Sequence, residues 1–236
     1  VKPFQTWPKQ LERILEEKGI RSETINTGVN GYSTRIYYKV LKKFYHLYHP
    51  DIVIVLVFSN DPGGDIADAK KRYSIVTSND GWLKKFLKRH SHLAKNLWFV
   101  YQTYFPRKYD NFHAIDIAKR DETDAEFNLA YKLYKESLVN MKQFCQENNI
   151  FFALTTIPSD IPSFIKFTEK VCKNKGINYI SQKSLLGEEG IVGINSAGHY
   201  SPKGYNLLAN SIAEYISEKE NIEKHFSPSF FKDPIY

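Results

Sequence analysis

The chain has 236 residues, of which 42% are hydrophobic and 25% charged, enough apolar material for one α/β domain with a real core. Its 33 Lys+Arg against 26 Asp+Glu leave a net charge of +7. The lysines are scattered along helix faces, and no RNP, zinc-finger or helix-turn-helix pattern is present, so no nucleic-acid partner is implied. No apolar run approaches the roughly 18–20 residues of a membrane span.

In chain order, Thr6-Trp7-Pro8 caps a helix whose Leu11, Ile14 and Leu15 share one face, and Gly19 ends it. Ser22 to Gly28 ("SETINTG") reads as a short strand, and "GVNGYST" as a loop. A helix follows from Thr34 to Tyr48. "PDIVIVLVF" has continuous β-branched and apolar residues without alternation, which predicts a strand buried on both faces. Residues 61–122 are too long for an ordinary loop and are expected to form an insertion or lid. Within it, Trp82, Leu83, Phe86, Leu87, Leu93 and Leu97 fall on one helical face with basic residues opposite. That pattern suits a helix packed on the domain. It also suits a membrane-surface or acyl-chain contact through residues 82–105.

A long helix is predicted from Thr123 to Asn148, then a buried strand "IFFALTTI" ending at Pro158. Pro162 opens a helix to about Asn174, "INYI" is a short strand, and a last helix begins after His199. Its N-cap is Ser201, and Leu207, Leu208, Ile212, Ala213 and Ile216 make its apolar face. Strands alternating with helices predict a parallel α/β sheet in a single domain. Cys145 and Cys172 lie in helical segments and read as core residues, with no disulfide required. The tail "FSPSFFKDPIY" is expected to wrap the surface.

His199 just ahead of a helix start has two readings: a polar loop residue, or a general base that needs a nucleophile, an oxyanion site and an orienting carboxylate. Three stretches bear on the choice: "NTGVNGYST" after the first predicted strand, "VFSND" at the end of the second, and "GHYSPKGYNLLA" near the C-terminus. In order and spacing they resemble the SGNH, or GDSL-type, esterases and lipases over nearly the whole chain. The resemblance implies a three-layer α/β/α sandwich with a mostly parallel, flavodoxin-like sheet. It also implies a serine ester hydrolase that needs no metal or organic cofactor. His199 would be the general base. Gly31 would give a backbone N–H to the oxyanion, and Asn60 its side-chain amide. The substrate class would be an O-acyl or acetyl ester of a carbohydrate, or a small lipid ester.

The sequence departs from the family pattern in three places. Ser59 stands where a glycine is usual before Asn60. Ala197 and Ser196 occupy the positions of the aspartate that orients the base. The Gly-Asp-Ser block that bears the family's nucleophile, on a strand ahead of the helix matching "TWPKQLERIL", does not occur in the chain. Ser33 and Ser59 read as loop hydroxyls rather than substitutes for it.

In the family's sheet the nucleophile strand lies between the strands matching "SETIN" and "IVIVLVF". Without it, backbone groups would be left unpaired at about 1–3 kcal/mol each. A segment upstream of Val1, or a second chain, is therefore expected to fill that gap. The chain by itself is expected to be inactive. Two rivals stand beside the enzyme: a catalytically inactive SGNH-like carbohydrate- or ester-binding module, and a peripheral-membrane protein. No signal peptide is in view, and the compartment is not legible.

Overall fold

The computed structural model describes residues 2–29, 31–77, 117, 120, 123–157, 161–182, 186–187, 190–191 and 200–218. Its centre is a three-stranded parallel sheet in the order β1 (Ile52–Val57), β2 (Phe151–Thr156), β3 (Asn178–Ile180). Strands β1 and β2 run in register from Ile52 opposite Phe151 to Val57 opposite Thr156. On the far side of β2, Ala153 to Thr155 pair with Asn178 to Ile180.

The pleat sends alternate side chains into two cores. Val53, Val55, Val57, Phe152 and Leu154 meet α2 (Thr34–Tyr48), α3 (Asp61–Thr77), α4 (Ala125–Glu147) and α5 (Pro162–Lys175). Ile52, Ile54, Leu56, Phe151 and Ala153 meet α1 (Trp7–Glu17) and α6 (Pro202–Ser217) on the opposite face. The result is the expected three-layer α/β/α sandwich.

The helix signals act as their chemistry predicts. The Asp124 carboxylate caps α4 by accepting from the Phe127 N–H at 2.9 Å. Gly176, at φ 60°, ends α5 in the left-handed conformation. Ser201 caps α6 by accepting from the Gly204 N–H at 3.2 Å. Leu11, Ile14 and Leu15 of α1 are buried against α6. Cys145 and Cys172 are buried free thiols in the first core, and burial pushes both up to about 12.

Three expectations change. Ser22–Gly28 is not a strand: among the described residues it joins no ladder. Thr24 is instead tied to α1, where the Glu12 carboxylate accepts from its N–H at 2.6 Å and its hydroxyl at 2.8 Å. A strand exists only by pairing, and this segment has no described neighbour to pair with. β1 was expected to be buried throughout, yet only Val57 is fully buried and Ile52 to Leu56 are half-buried. Both of its faces touch a core, but among the described residues only β2 covers an edge. Finally, the stretch expected as an insertion opens with α3, which belongs to the body and buries Ile66 in the first core. The amphipathic 82–105 stretch and the C-terminal tail lie outside the described residues.

Candidate active site

Two of the expected site residues lie in adjacent loops. Gly31 is exposed, at φ 80°, in the turn that leads into α2. That angle is left-handed, so a side chain there would be strained. The same turn carries a hydrogen bond from the Tyr32 N–H to the Val29 carbonyl at 3.2 Å. Asn60 lies just beyond the C-terminal end of β1, in a turn closed by the Asp61 N–H donating to the Phe58 carbonyl at 3.0 Å. Loops beyond the carboxyl ends of parallel strands are where open α/β sheets bind ligands.

The Asn60 side chain is exposed and takes no part in that turn. The turn is held instead by the next residue, whose carboxylate accepts from the Phe58 N–H at 2.9 Å. The geometry assigns the turn-making to Asp61.

Behind the two loops is a buried polar layer. Asp61 and Asp65 are 1% and 0% exposed, so their carboxylates must be satisfied internally. Asp65 accepts from the Arg35 N–H at 2.8 Å and from the Thr34 hydroxyl, and so caps the start of α2 from across the α2–α3 contact. Burial raises its carboxyl above the usual range, and the bonds from Thr34 and Arg35 oppose that shift. Asp61 also accepts from the Tyr37 hydroxyl at 3.2 Å. Tyr37 is raised far above the ordinary phenol range, first by burial and then by the charge of Asp61. Its hydroxyl therefore stays a donor throughout the neutral range.

Ser33 and Ser59, the nearby hydroxyls, are both buried. A methyl group on Gly64 would lie 2.7 Å from the Ser33 Cβ, so Ser33 is packed into the α2–α3 contact. His199, Ala197 and Ser196 lie outside the described residues. The residue after His199, Tyr200, is buried in the second core, with its ring 5.5 Å from that of Tyr205.

Neither a family model nor a curated protein matches the chain. Among solved structures, one match is a protein assigned to the lipolytic G-D-S-L family from Desulfitobacterium hafniense DCB-2. It is 15% identical, with a TM-score of 0.50 over 89% of this chain and 88% of that one. The chain shares the GDSL-type fold. At that identity the likeness is one of architecture, and the chemistry rests on the residues above.

Proposed function

We propose that this chain is the body of an SGNH-type ester hydrolase, acting on O-acyl or acetyl esters of a carbohydrate or on a small lipid ester. In this reading the Gly31 N–H and the Asn60 side-chain amide hold the oxyanion, and His199 takes the proton of the attacking serine. That serine is carried by a strand seated beside β1, from the same polypeptide or from a second chain. The observation that supports it best is the adjacency of the Gly31 turn and the Asn60 turn, with the glycine left-handed and the amide left out of its own turn. The half-covered β1 supports the incoming strand.

Two experiments test it. Residues 1–236 alone should not turn over p-nitrophenyl acetate. Labelling of Ser33, Ser59 or Ser196 by a fluorophosphonate, with turnover lost in the matching Ala variant, would overturn the placing of the nucleophile. With the completing strand present, turnover should appear, and Asn60→Ala should lower kcat by about 10²–10³-fold, the usual cost of one oxyanion donor.

One observation favours a second reading, a binding module that retains the cleft without catalysis. Ala197 stands where a carboxylate would orient His199. An imidazolium formed in catalysis loses stabilisation without that partner. If Ala197→Asp raises turnover at least tenfold in the completed protein, the site is an enzyme lacking one part. If the completed protein binds an acetylated sugar and neither form hydrolyses it, the binding module stands.

A further inference from the structure

The two loops are joined by one hydroxyl. Tyr37 lies in the second turn of α2, and its Oη is 3.2 Å from the carbonyl oxygen of Tyr32 and 3.2 Å from Asp61 Oδ1. Tyr32 follows Gly31 and Asp61 follows Asn60, so a single donor bridges the chain neighbours of both expected oxyanion donors. The other oxygen of Asp61 is already committed to the Phe58 N–H at 2.9 Å, which fixes the carboxylate in the turn. A second tie lies one helical turn further along α3, where Asp65 receives the Thr34 hydroxyl and the Arg35 N–H. At Gly64 the two helices approach too closely for a Cβ to fit against Ser33.

We infer that Tyr37 is a positioning residue that sets the separation between the Gly31 N–H and the Asn60 amide, with Asp61 as its anchor and Asp65 as the brace behind it. The physical argument is one of register. An oxyanion site works only when its donors are aimed within a few tenths of an ångström of one point. These two donors sit on separate loops, each exposed at the donor residue. Backbone closure alone would let them drift apart, and the phenol joins the two turns directly, with the Asp65 tie behind it. The inference rests on the oxyanion reading for its meaning in catalysis, but the coupling of the loops can be measured without it.

The experiment uses the protein of residues 1–236, isotope-labelled, with methylphosphonate as a tetrahedral anion. NMR follows the Gly31 amide and the Asn60 side-chain NH₂ signals, free and during titration. Tyr134→Phe is the control, because it removes a fully buried hydroxyl 3.0 Å from Thr168 at the α4–α5 contact. Tyr37→Phe should shift or broaden both signals in the free protein and weaken methylphosphonate at least fivefold. Tyr134→Phe should do neither, even where it lowers the melting temperature as much.

A Tyr37→Phe protein with the wild-type Kd, or a Tyr134→Phe protein weakened equally, overturns the inference. If wild-type protein does not bind methylphosphonate, the oxyanion reading fails, and the free-protein signals decide the coupling. Gly31 and Asn60 moving together in Tyr37→Phe supports it, and movement of one or neither refutes it. Should Tyr37→Phe not fold, Asp61→Asn, which weakens the acceptor and keeps the shape, must give the same paired change at smaller amplitude. Unchanged signals in that variant count against the inference.

Discussion

Strands β1 and β2 read alike in the sequence, as short runs without polar alternation. Each is a six-residue run of apolar and β-branched residues flanked by helices, and each sends alternate side chains into both cores. In the fold they differ sharply. β2 has a neighbour on each edge and every residue buried, while β1 has one described neighbour and five of its residues half-buried. Composition reports how apolar a strand's surroundings can be. It does not report how many of its edges are filled. On the reading proposed above, a strand with the composition of a centre and the exposure of an edge is where the incoming strand would sit.

Matched truncations put the largest numbers on this contrast. Leu154 on β2 is fully buried, whereas Leu56 on β1 is half-buried. Leu154→Ala should cost about 2–5 kcal/mol in urea unfolding, and Leu56→Ala about 1 kcal/mol, in proportion to the smaller apolar area it removes from water. When the completing strand is present, the Leu56 cost should rise toward that of Leu154. Equal costs in residues 1–236 alone would mean that β1 is already covered, and the contrast would collapse.

Hydrogen exchange reads the same difference one amide at a time. In a parallel ladder, alternate residues of a strand bond to alternate sides. All β2 amides should therefore exchange slowly, and every second amide of β1 should exchange at a rate near that of an open loop. Uniform protection along Ile52–Val57 would show a second ladder there.

The core shared by the two strands also carries a pH signal. Burial holds Cys145 and Cys172 at about 12, raised from 9.0. The thiols are neutral in the fold and ionise more easily in the unfolded chain. Their contribution is thus fully present below about pH 8.5 and is lost as pH rises toward 12. Melting temperature should fall over that window, and less steeply in a Cys145→Ala, Cys172→Ala double variant. Reaction of either thiol with iodoacetamide at pH 8 as fast as a free cysteine would contradict the packing on the β2 side.

The architecture was legible in the sequence because its signals are local: the N-cap at Ser201, Pro162 at the start of α5, and the apolar runs of β1 and β2. Gly31 and Asn60 stood out only as parts of an ordered set of motifs, and the link between their turns through Tyr37 came from the fold. The Tyr37–Asp61 and Asp65–Thr34 ties were not legible, because each joins residues 24 to 31 positions apart on two helices, with no pattern to mark them. One clue was available: "FSNDPGGD" places two aspartates and a glycine pair at a strand-to-helix junction, where a buried cap and a close helix approach are both expected. Ser22–Gly28 failed for the opposite reason. Its composition suits a strand, but strand formation depends on a neighbour that local sequence cannot report.

That segment gives the smallest effect and the most local one. Ser22–Gly28 is held by the Glu12 carboxylate, which accepts from Thr24 N–H and Oγ1 while Lys9 donates to it at 2.8 Å. The Lys9 hydrogen bond is the largest influence holding Glu12 below the usual carboxylate range, and the Thr24 bonds add to it. A lowered folded-state value means that the tie is complete above about pH 4.3–4.5 and weakens as pH falls through the lower value. The Thr24 amide proton should therefore titrate with a midpoint below that of a free glutamate, and Glu12→Gln should abolish the titration. Global stability should change little, because the group is near the surface and screened by water. If the completing strand draws Ser22–Gly28 into the sheet, Thr24 must exchange its carboxylate acceptor for a backbone one, and its titration should vanish in the wild-type protein as well. A Thr24 amide that still follows Glu12 after the strand is seated would show that this segment stays with α1 and that the sheet ends at the strand beside β1.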